Sequence, residues 1–283
     1  MEIEEALEFF AIFGGIDSSI EIDFFDTLDE VILYQMLVDI KAYEALISPS
    51  YLLEAPYRNL LIAVARGDGK LLNIFKRARV NETTGGELLS ELADLGILQL
   101  EPSREAPPKM HPKHKVKKHL RSYRIQAKAR FKVPFFRFWF GFVEPYREEI
   151  IQGKTAAFLK NFSQHQDRCA GLSFEQLSND LLADFFAQND PLISRGSFWD
   201  RHSEYDLLSV TRSGKVILGE CKFKGRRVCK NELNKLKEKA SNSGISVDIY
   251  ALFSRNGFSN ELRHSKEENL LLFDLEDFKR LQF

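Results

Sequence analysis

The segment from Glu204 to Lys222 constrains the fold more than any other part of the sequence, because it predicts two strands joined by a tight turn. It reads EYDLLSVTRSGKVILGECK, and Ser213-Gly214 is the kind of dipeptide that makes such a turn. Side chains alternate between the two faces of a strand. Glu220 and Lys222 are therefore predicted to share one face of the sheet, and Cys221 is predicted to point to the other.

The charged residues of this hairpin predict a metal site. Asp206 lies on the strand next to Glu220, and two carboxylates in such a place can hold a hard divalent cation, Mg²⁺ or Mn²⁺. The carbonyl of Cys221 is a candidate further ligand, and Lys222 would orient a water or stabilise the charge on a phosphate. The alternative is a surface salt bridge on an ordinary hairpin. The apolar residues 214–219 favour a buried central strand, where charge is costly without a purpose.

A helix before the hairpin supplies a third candidate carboxylate. Residues 172–188 follow a helical pattern whose apolar stripe is made by Phe174, Leu177, Leu181 and Phe185. Glu175 lies about 100° from Phe174 around the helix, at the edge of that stripe. It is therefore predicted to pack near the core and still reach the polar site, as a ligand or as a residue that holds a water.

Charge is segregated along the chain, although the formal net charge is only −1. Residues 1–55 carry 13 acidic residues and one basic residue, whereas residues 106–143 carry 11 basic residues and no acidic one. A local basic patch attracts a polyanion whatever the net charge. The alternative is a solvated connector that pairs with the acidic segment. The candidate DNA contacts are Lys115, Lys117, Lys118, Arg121, Lys224, Arg226, Arg227 and Lys230.

Residues 57–102 predict a winged helix, which is three helices followed by a strand. The helices are predicted at 57–65, 70–77 and 86–95, and the strand at 97–100. Thr84 and Glu87 have the spacing of a capping box, which predicts that the third helix starts there. That helix also carries Glu91 and Asp94 but no lysine or arginine, so phosphates would repel it. A scaffold or protein-contact role is therefore favoured over DNA reading.

The chain is long enough for about two domains, and its patterns divide it into four segments. They are an acidic helical segment at 1–56, the winged-helix-like domain at 57–102, a basic linker and bridging helix at 103–150, and an α/β domain at 151–283. The last has the order helix, hairpin, helix, strand, strand, helix, which predicts a mixed sheet flanked by helices. Gly153-Lys154-Thr155 does not complete a phosphate-binding loop, because position 148 is Glu148 rather than glycine.

Cysteine usage and the N-terminal residues predict a cytoplasmic protein. Cys169, Cys221 and Cys229 have no metal-type spacing, which favours a reducing compartment over a disulfide scaffold. The acidic start of the chain does not resemble a signal peptide. The aromatic run at 135–142 is too short to span a bilayer and contains Arg137, so it is predicted to be core and not membrane.

The hairpin motif resembles the core of the PD-(D/E)XK nuclease superfamily, which has an aspartate on one strand and Glu-x-Lys on the next. The chain as a whole resembles the C-terminal portion of a family of archaeal and bacterial P-loop ATPases, in which a winged helix precedes a nuclease-like domain of unknown function. Asp17 stands where that family has proline, and the ATPase loop has no counterpart in this sequence. The similar segments are Phe13–Ile16, Tyr57–Leu100, Phe138–Val143, Phe174-Glu175, Trp199, Glu204–Asp206 and Gly219–Lys222.

The resemblance implies a restriction-endonuclease-like fold and leaves two functions open. The first is a metal-dependent DNA nuclease that hydrolyses phosphodiesters with Glu175, Asp206, Glu220 and Lys222. The second is a non-catalytic DNA- or protein-binding regulator that keeps the fold as a scaffold and works with a separately encoded P-loop ATPase. The presence of all four site residues favours the enzyme, and the acidic third helix and missing ATPase loop favour the regulator.

Overall fold

The structure is a computed structural model that describes residues 2–16, 27–105, 115, 118, 123–201 and 203–281. The chain divides into two compact units, Met1–Pro102 with Gln126–Ala170, and Ser103–Ile125 with Gly171–Phe283. The first unit therefore takes in much of the segment predicted as a linker, and the second unit holds its other part. The division into four segments at 56, 102 and 150 stays a prediction.

The first unit begins with short helices. Helix α1 covers Ile3–Phe13 and ends at Gly14. Helix α2, Leu28–Glu30, starts with a capping box at Thr27 and continues into a π-helical segment, Val31–Met36. Helix α3 covers Ile40–Ala45. The helical structure is broken near residue 39, where the Asp39 carboxylate caps α3 by accepting from the Ala42 N–H.

Three helices and a two-stranded sheet follow, in the order predicted for a winged helix. Helices α4, α5 and α6 cover Tyr57–Arg66, Leu71–Ala78 and Glu82–Asp94. Strand β1, Leu98–Glu101, pairs antiparallel with β2, Lys128–Phe131. Residues 102–127 connect β1 to β2, and they include the first part of the basic stretch 106–143.

The start of α6 corrects the predicted capping box. The helix begins at Glu82 because Asn81 is the N-cap, and its side-chain oxygen accepts from the Thr84 N–H at 2.9 Å. Gly85 sits inside the helix, where a glycine pair predicts a break. It is tolerated because the ring of Phe75 lies against it, so that an added Cβ would come within 2.4 Å of that ring. The Asn81 cap therefore sets the start of α6, and the close approach of Phe75 explains the glycine inside it.

The aromatic run is core, as predicted. Helix α7 covers Pro134–Phe138, a π-helical segment covers Trp139–Val143, a 3-10 turn covers Glu144–Tyr146, and α8 covers Arg147–Ile151. Trp139 is fully buried, and its indole N–H donates to the buried Glu144 carboxylate at 3.0 Å. Among the described residues, no helix combines the length and the apolarity needed to cross a membrane.

The long helix α9, Ala156–Phe186, contains the boundary between the two units. Beyond it the second unit is built from strands and short helices. They are β3 (Leu192–Ser194), β4 (Phe198–Trp199), β5 (Glu204–Tyr205), β6 (Leu207–Thr211), β7 (Val216–Lys222), α10 (Lys230–Asn242), β8 (Ile249–Ser254), α11 (Asn260–Arg263), β9 (Leu270–Phe273) and a 3-10 segment (Leu275–Arg280).

The predicted mixed α/β fold is confirmed in the second unit. Its five-stranded sheet has the order β3-β6-β7-β8-β9, in which β6 and β7 are antiparallel and β7, β8 and β9 are parallel. The predicted hairpin is β6–β7, and Gly214 allows its turn by adopting a φ of +89°. Strand β7 is central. Leu218 packs with Leu233 and Leu236 of α10 on one face of the sheet. Phe174 of α9 stacks on Phe278, which also contacts Phe253 of β8, on the other face.

The acidic helix α6, which is the third helix of the predicted winged helix, has one of its carboxylates engaged in hydrogen bonds. Glu91 accepts hydrogen bonds from the hydroxyls of Tyr51, at 2.8 Å, and Tyr57, at 2.5 Å. Its hydrogen bond raises the pKa of Tyr57 to about 12. Glu87, on the same helix, is exposed. Glu91 therefore holds two tyrosines that are not on its own helix.

We expect Glu91→Ala to lower the melting temperature of the chain and Glu87→Ala to leave it unchanged. The first change leaves two hydroxyls without their charged acceptor, whereas the second removes an exposed carboxylate. Thermal unfolding followed by circular dichroism measures both variants. Equal melting temperatures for the two variants would show that the tyrosine cluster contributes nothing to the stability of this unit.

Candidate active site

Asp206 lies beside the C-terminal end of the central strand. It occupies a one-residue break between β5 and β6, and Leu207, which follows it, pairs with Gly219 of β7. The Asp206 carboxylate accepts from the backbone N–H of Cys221 at 2.8 Å, so a side chain takes a β7 donor at the point where the ladder ends. The carboxylate is therefore held next to the Glu220-Cys221-Lys222 backbone.

The pKa of Asp206 depends on the charges of the other two candidate carboxylates, Glu220 and Glu175. Burial first, and then the negative charges of Glu220 and Glu175, raise the pKa of Asp206 to about 7. The Cys221 N–H and the Lys222 ammonium act in the opposite direction. A carboxyl with such a raised pKa, in a group of like charges, is typical of a site that receives a cation or a proton. The structure thus brings Glu175, Asp206 and Glu220 into one electrostatic neighbourhood.

Lys222 forms an ion pair with Glu220. Both side chains are largely buried, with 20% and 18% of their surface exposed. Burial lowers the pKa of Lys222, but the hydrogen bond and charge of Glu220, followed by the charges of Asp206 and Glu232, raise it overall above its ordinary value. Lys222 is therefore charged at neutral pH, and its ammonium lies against a carboxylate that the sequence predicted as a metal ligand.

The side chain of Cys221 belongs to a different environment from those of its neighbours. Burial raises the pKa of its thiol well above the ordinary value, and the charge of Asp206 raises it further. The thiol lies beside the buried hydroxyl of Ser178 on α9. By the alternation of β7, Glu220 and Lys222 share the face of Leu218 and α10. The cysteine thiol is thus inert packing, and only its backbone is available to the site.

The described side chains are not already arranged as a site with three metal ligands. Among the described residues, no group of three or more His, Cys, Asp or Glu side chains is arranged to hold a metal ion. Asp206 and Glu220 are only two such side chains, so the prediction that they share one cation stays a prediction. In the structure the Lys222 ammonium engages the Glu220 carboxylate. The donor set itself, carboxylate oxygens with a raised pKa at Asp206, fits a hard divalent cation.

The basic residues after β7 form an anchored loop. Lys224, Arg226 and Arg227 are exposed, and the Lys224 carbonyl accepts from the Asn256 side chain at 3.3 Å. Lys230, at the start of α10, is paired with Glu261 at 3.5 Å. Three of these four cations therefore point to solvent beside Lys222.

The other candidate DNA contacts are only partly described. Lys115 and Lys118 belong to the second unit and are exposed. Lys117 and Arg121 lie outside the described residues. The ends of this basic stretch are held within the second unit, because the Glu105 carboxylate accepts from Tyr123 at 2.5 Å and from Arg201 at 2.7 Å.

Sequence reasoning missed two residues near the site. Ser178 lies four positions after Phe174 and three before Leu181, so a polar residue on the apolar stripe was the signal for it. Glu232 lies in the first turn of α10, and its charge contributes to the raised pKa of Lys222. Its signal was an acidic residue at the start of the helix that follows the motif, but such residues are common there for reasons of helix stability.

Replacing Asp206 with asparagine is expected to stabilise the folded chain at pH 8 by at least about 1 kcal/mol, since one pKa unit corresponds to about 1.4 kcal/mol. The folded pKa of about 7 exceeds the unfolded value, so the wild-type free energy of unfolding falls as pH rises from about 4 to 7. Asparagine keeps an acceptor for the Cys221 N–H and removes the charge. Denaturant titrations at pH 5 and pH 8 measure the difference.

Asp190→Asn is the matched control with the opposite sign. The hydroxyls of Ser213 and Thr211 hold the pKa of Asp190 below its ordinary value. Its carboxylate therefore stabilises the fold above about pH 4, and asparagine there lowers stability at pH 8. A wild-type stability that does not change between pH 5 and pH 8, together with an unstabilised Asp206→Asn variant, would contradict the assignment of the raised pKa.

Comparison with known proteins finds a similarity to an uncharacterised family over part of the chain. Residues 139–238 match the model of DUF234, described as archaeal and bacterial proteins of unknown function. This part of the chain contains Glu175, Asp206, Glu220 and Lys222, so the whole candidate site lies within the similar region. No curated protein and no solved structure matches the chain.

Proposed function

We propose that the chain is a metal-dependent DNA nuclease that hydrolyses phosphodiester bonds. The observation that carries the proposal is the grouping of Asp206, Glu220 and Glu175 around a charged lysine at the end of the central strand, with the pKa of Asp206 raised to about 7. Buried carboxylates that repel one another destabilise the fold, so their retention favours a role in binding a cation. The exposed basic loop beside them supports an anionic substrate.

The residues have separate roles in this proposal. Asp206, Glu220 and the Cys221 carbonyl would hold Mg²⁺ or Mn²⁺, and Glu175 would complete the shell or hold a water. The bound cation supplies positive charge that activates water and neutralises charge on the phosphate. Lys222 would orient the attacking water and donate to the phosphate oxygens as negative charge grows on them. These assignments use one carboxylate on α9, one before β6 and one on β7.

The site must rearrange before Glu220 can act as a ligand. In the structure the Glu220 carboxylate is engaged by Lys222. A divalent cation carries twice the charge of the ammonium and is the stronger competitor for carboxylate oxygens. Binding of the cation would release the ammonium, and the freed Lys222 would then be available to the substrate.

A non-catalytic DNA- or protein-binding regulator is the second candidate. It is supported by the Lys222–Glu220 pair and by the absence of a three-ligand group among the described residues. In that function the ion pair would be structural, and a separate ATPase would be a partner. The two candidates differ in whether divalent cations bind.

Cleavage of supercoiled plasmid separates the two candidates. The purified chain is incubated with Mg²⁺ or Mn²⁺, and a parallel sample contains EDTA. We expect nicked or linear DNA with the cation and none with EDTA. Glu276→Gln is a control for loss of a carboxylate, because Glu276 lies at the surface and pairs with Lys279, which has no role in the proposed site. Equal plasmid integrity with and without the cation, over a range of protein concentrations, would favour the regulator.

DNA affinity of the chain is expected to fall steeply with salt, because phosphate contacts release counterions. Replacing Lys224, Arg226 and Arg227 together with alanine should flatten the slope of log affinity against log salt by up to about 3, roughly one per lost contact. Fluorescence anisotropy of a labelled duplex at several salt concentrations measures the slope.

The control for this prediction is a triple change of exposed lysines in the first unit, Lys41, Lys154 and Lys160, which should leave the slope unchanged. Glu87→Ala should leave affinity unchanged or slightly higher, since only repulsion is removed. An affinity that does not depend on salt would contradict phosphate binding. A loss of binding caused by Glu87→Ala would show that helix α6 contacts DNA.

A further inference from the structure

Glu232 is a fourth carboxylate near the candidate site, and none of the roles above uses it. It lies in the first turn of α10, one position before Leu233. Leu233 packs in the same cluster as Leu218 of β7. Leu218, Glu220 and Lys222 share one face of β7 by alternation, so α10 covers the face that carries Glu220 and Lys222. Glu232 is thus placed beside the end of β7.

The carboxylate of Glu232 lies near two basic side chains, those of Lys235 and Arg226. Its Oε1 lies 3.4 Å from the Lys235 ammonium and 3.9 Å from a guanidinium nitrogen of Arg226. Its side chain is only 20% exposed, whereas those of Lys235 and Arg226 are 60% and 76% exposed. The charge of Glu232 also contributes to raising the pKa of Lys222. A weakly engaged, partly buried carboxylate therefore lies within electrostatic reach of Lys222.

A cation bound to Glu220 would leave the Lys222 ammonium in need of another carboxylate as its partner. The Lys222 side chain is 20% exposed and is paired with Glu220. An ammonium in that position is costly to leave without an anion once a cation has taken Glu220. Asp206 would be committed to the same cation. Among the carboxylates that act on Lys222, Glu232 is the one that the metal site leaves available.

We propose that Glu232 is a positioning residue that receives the Lys222 ammonium when a divalent cation takes Glu220. The inference rests on the proposed metal site and adds a residue to it. Glu232 would lower the cost of exchanging the ammonium for the cation without being a ligand. It would also hold the freed Lys222 at the edge of the site, where the phosphate arrives.

A double-mutant cycle on Mn²⁺ affinity tests this coupling. Calorimetric titrations are made with the full-length chain as wild type, Glu232→Gln, Lys222→Ala and the double variant. We expect Glu232→Gln to weaken Mn²⁺ binding about 3–10-fold when Lys222 is present and to have little effect when Lys222 is alanine, because contacting residues couple by such amounts. A purely structural or long-range charge effect would be the same in both backgrounds.

Two further variants keep the test decisive. Glu261→Gln removes an equal charge from a side chain that is 64% exposed, and should leave Mn²⁺ affinity unchanged. Glu232→Asp keeps the charge on a shorter side chain and should weaken Mn²⁺ binding less than Glu232→Gln, which serves if the glutamine variant does not fold. Equal weakening in both Lys222 backgrounds would overturn the role of Glu232 alone. No Mn²⁺ binding to the wild type would overturn the metal site and this inference together.

Discussion

Lys222→Ala is expected to reduce Mg²⁺-dependent DNA cleavage about 10²–10³-fold, the usual cost of losing one group that stabilises transition-state charge. Mg²⁺ affinity should be retained or increased, because the variant no longer carries the ammonium that occupies Glu220. Plasmid cleavage rates and calorimetric Mg²⁺ titrations give the two quantities. Lys224→Ala, two positions on and exposed, is the control and should lose only part of the DNA affinity.

The cleavage rate and the Mg²⁺ affinity of the variant together test the role proposed for Lys222. Cleavage lost with metal binding retained is the result expected of a residue that acts on water and phosphate. A parallel loss of both would mean that Lys222 supports the fold of the site, and thermal unfolding of the variant would show it. Unchanged cleavage would remove Lys222 from the mechanism.

Glu220→Gln is expected to weaken Mg²⁺ binding by at least about 10²-fold, since loss of an outer-shell partner alone costs about 10–100-fold and a ligand contributes more. Glutamine keeps the shape and can still accept from Lys222, but it lacks the negative charge that the cation requires. Cleavage should fall with the loss of bound metal and recover in part at high Mg²⁺. Calorimetry and plasmid cleavage at several Mg²⁺ concentrations measure both.

Glu232 provides the matched comparison for Glu220. Glu220 is on the face of β7 that α10 covers and Glu232 is on α10 itself, and only Glu220 is proposed as a ligand. Glu232→Gln should therefore have the smaller effect on metal affinity. Equal Mg²⁺ affinity in wild type and Glu220→Gln would favour the non-catalytic scaffold, with the Lys222–Glu220 pair as a structural feature.

Local pattern was enough to predict the hairpin and its place in the sheet. Alternation along β7 put Glu220 and Lys222 on one face, and the apolar residues before them predicted a central strand, which the sheet order confirms. The turn at Gly214 was predicted from its need for a positive φ. These features depend only on residues that are close together in the sequence, so a single sequence is enough to predict them.

Contacts between residues that are far apart in the sequence could not be predicted from sequence patterns. Gly85 lies inside α6, where the ring of Phe75 packs against it. Glu91 was interpreted as part of an acidic helix that phosphates would repel, but it binds tyrosines 34 and 40 positions away. Sequence patterns left a metal site and a salt bridge open for Glu220 and Lys222, and the structure shows their ion pair. Such choices among several partners are made by tertiary structure, where burial sets the strength of each pairing.

The most direct test of the central claim is the position of Mn²⁺ in crystals of the wild-type chain, located by its anomalous scattering. The account predicts a single strong peak about 2.0–2.6 Å from carboxylate oxygens of Asp206 and Glu220, at the distances usual for hard cations. It also predicts that the Lys222 ammonium has moved away from Glu220. At saturating Mn²⁺, a site without a peak and with Lys222 still paired to Glu220 would contradict the account.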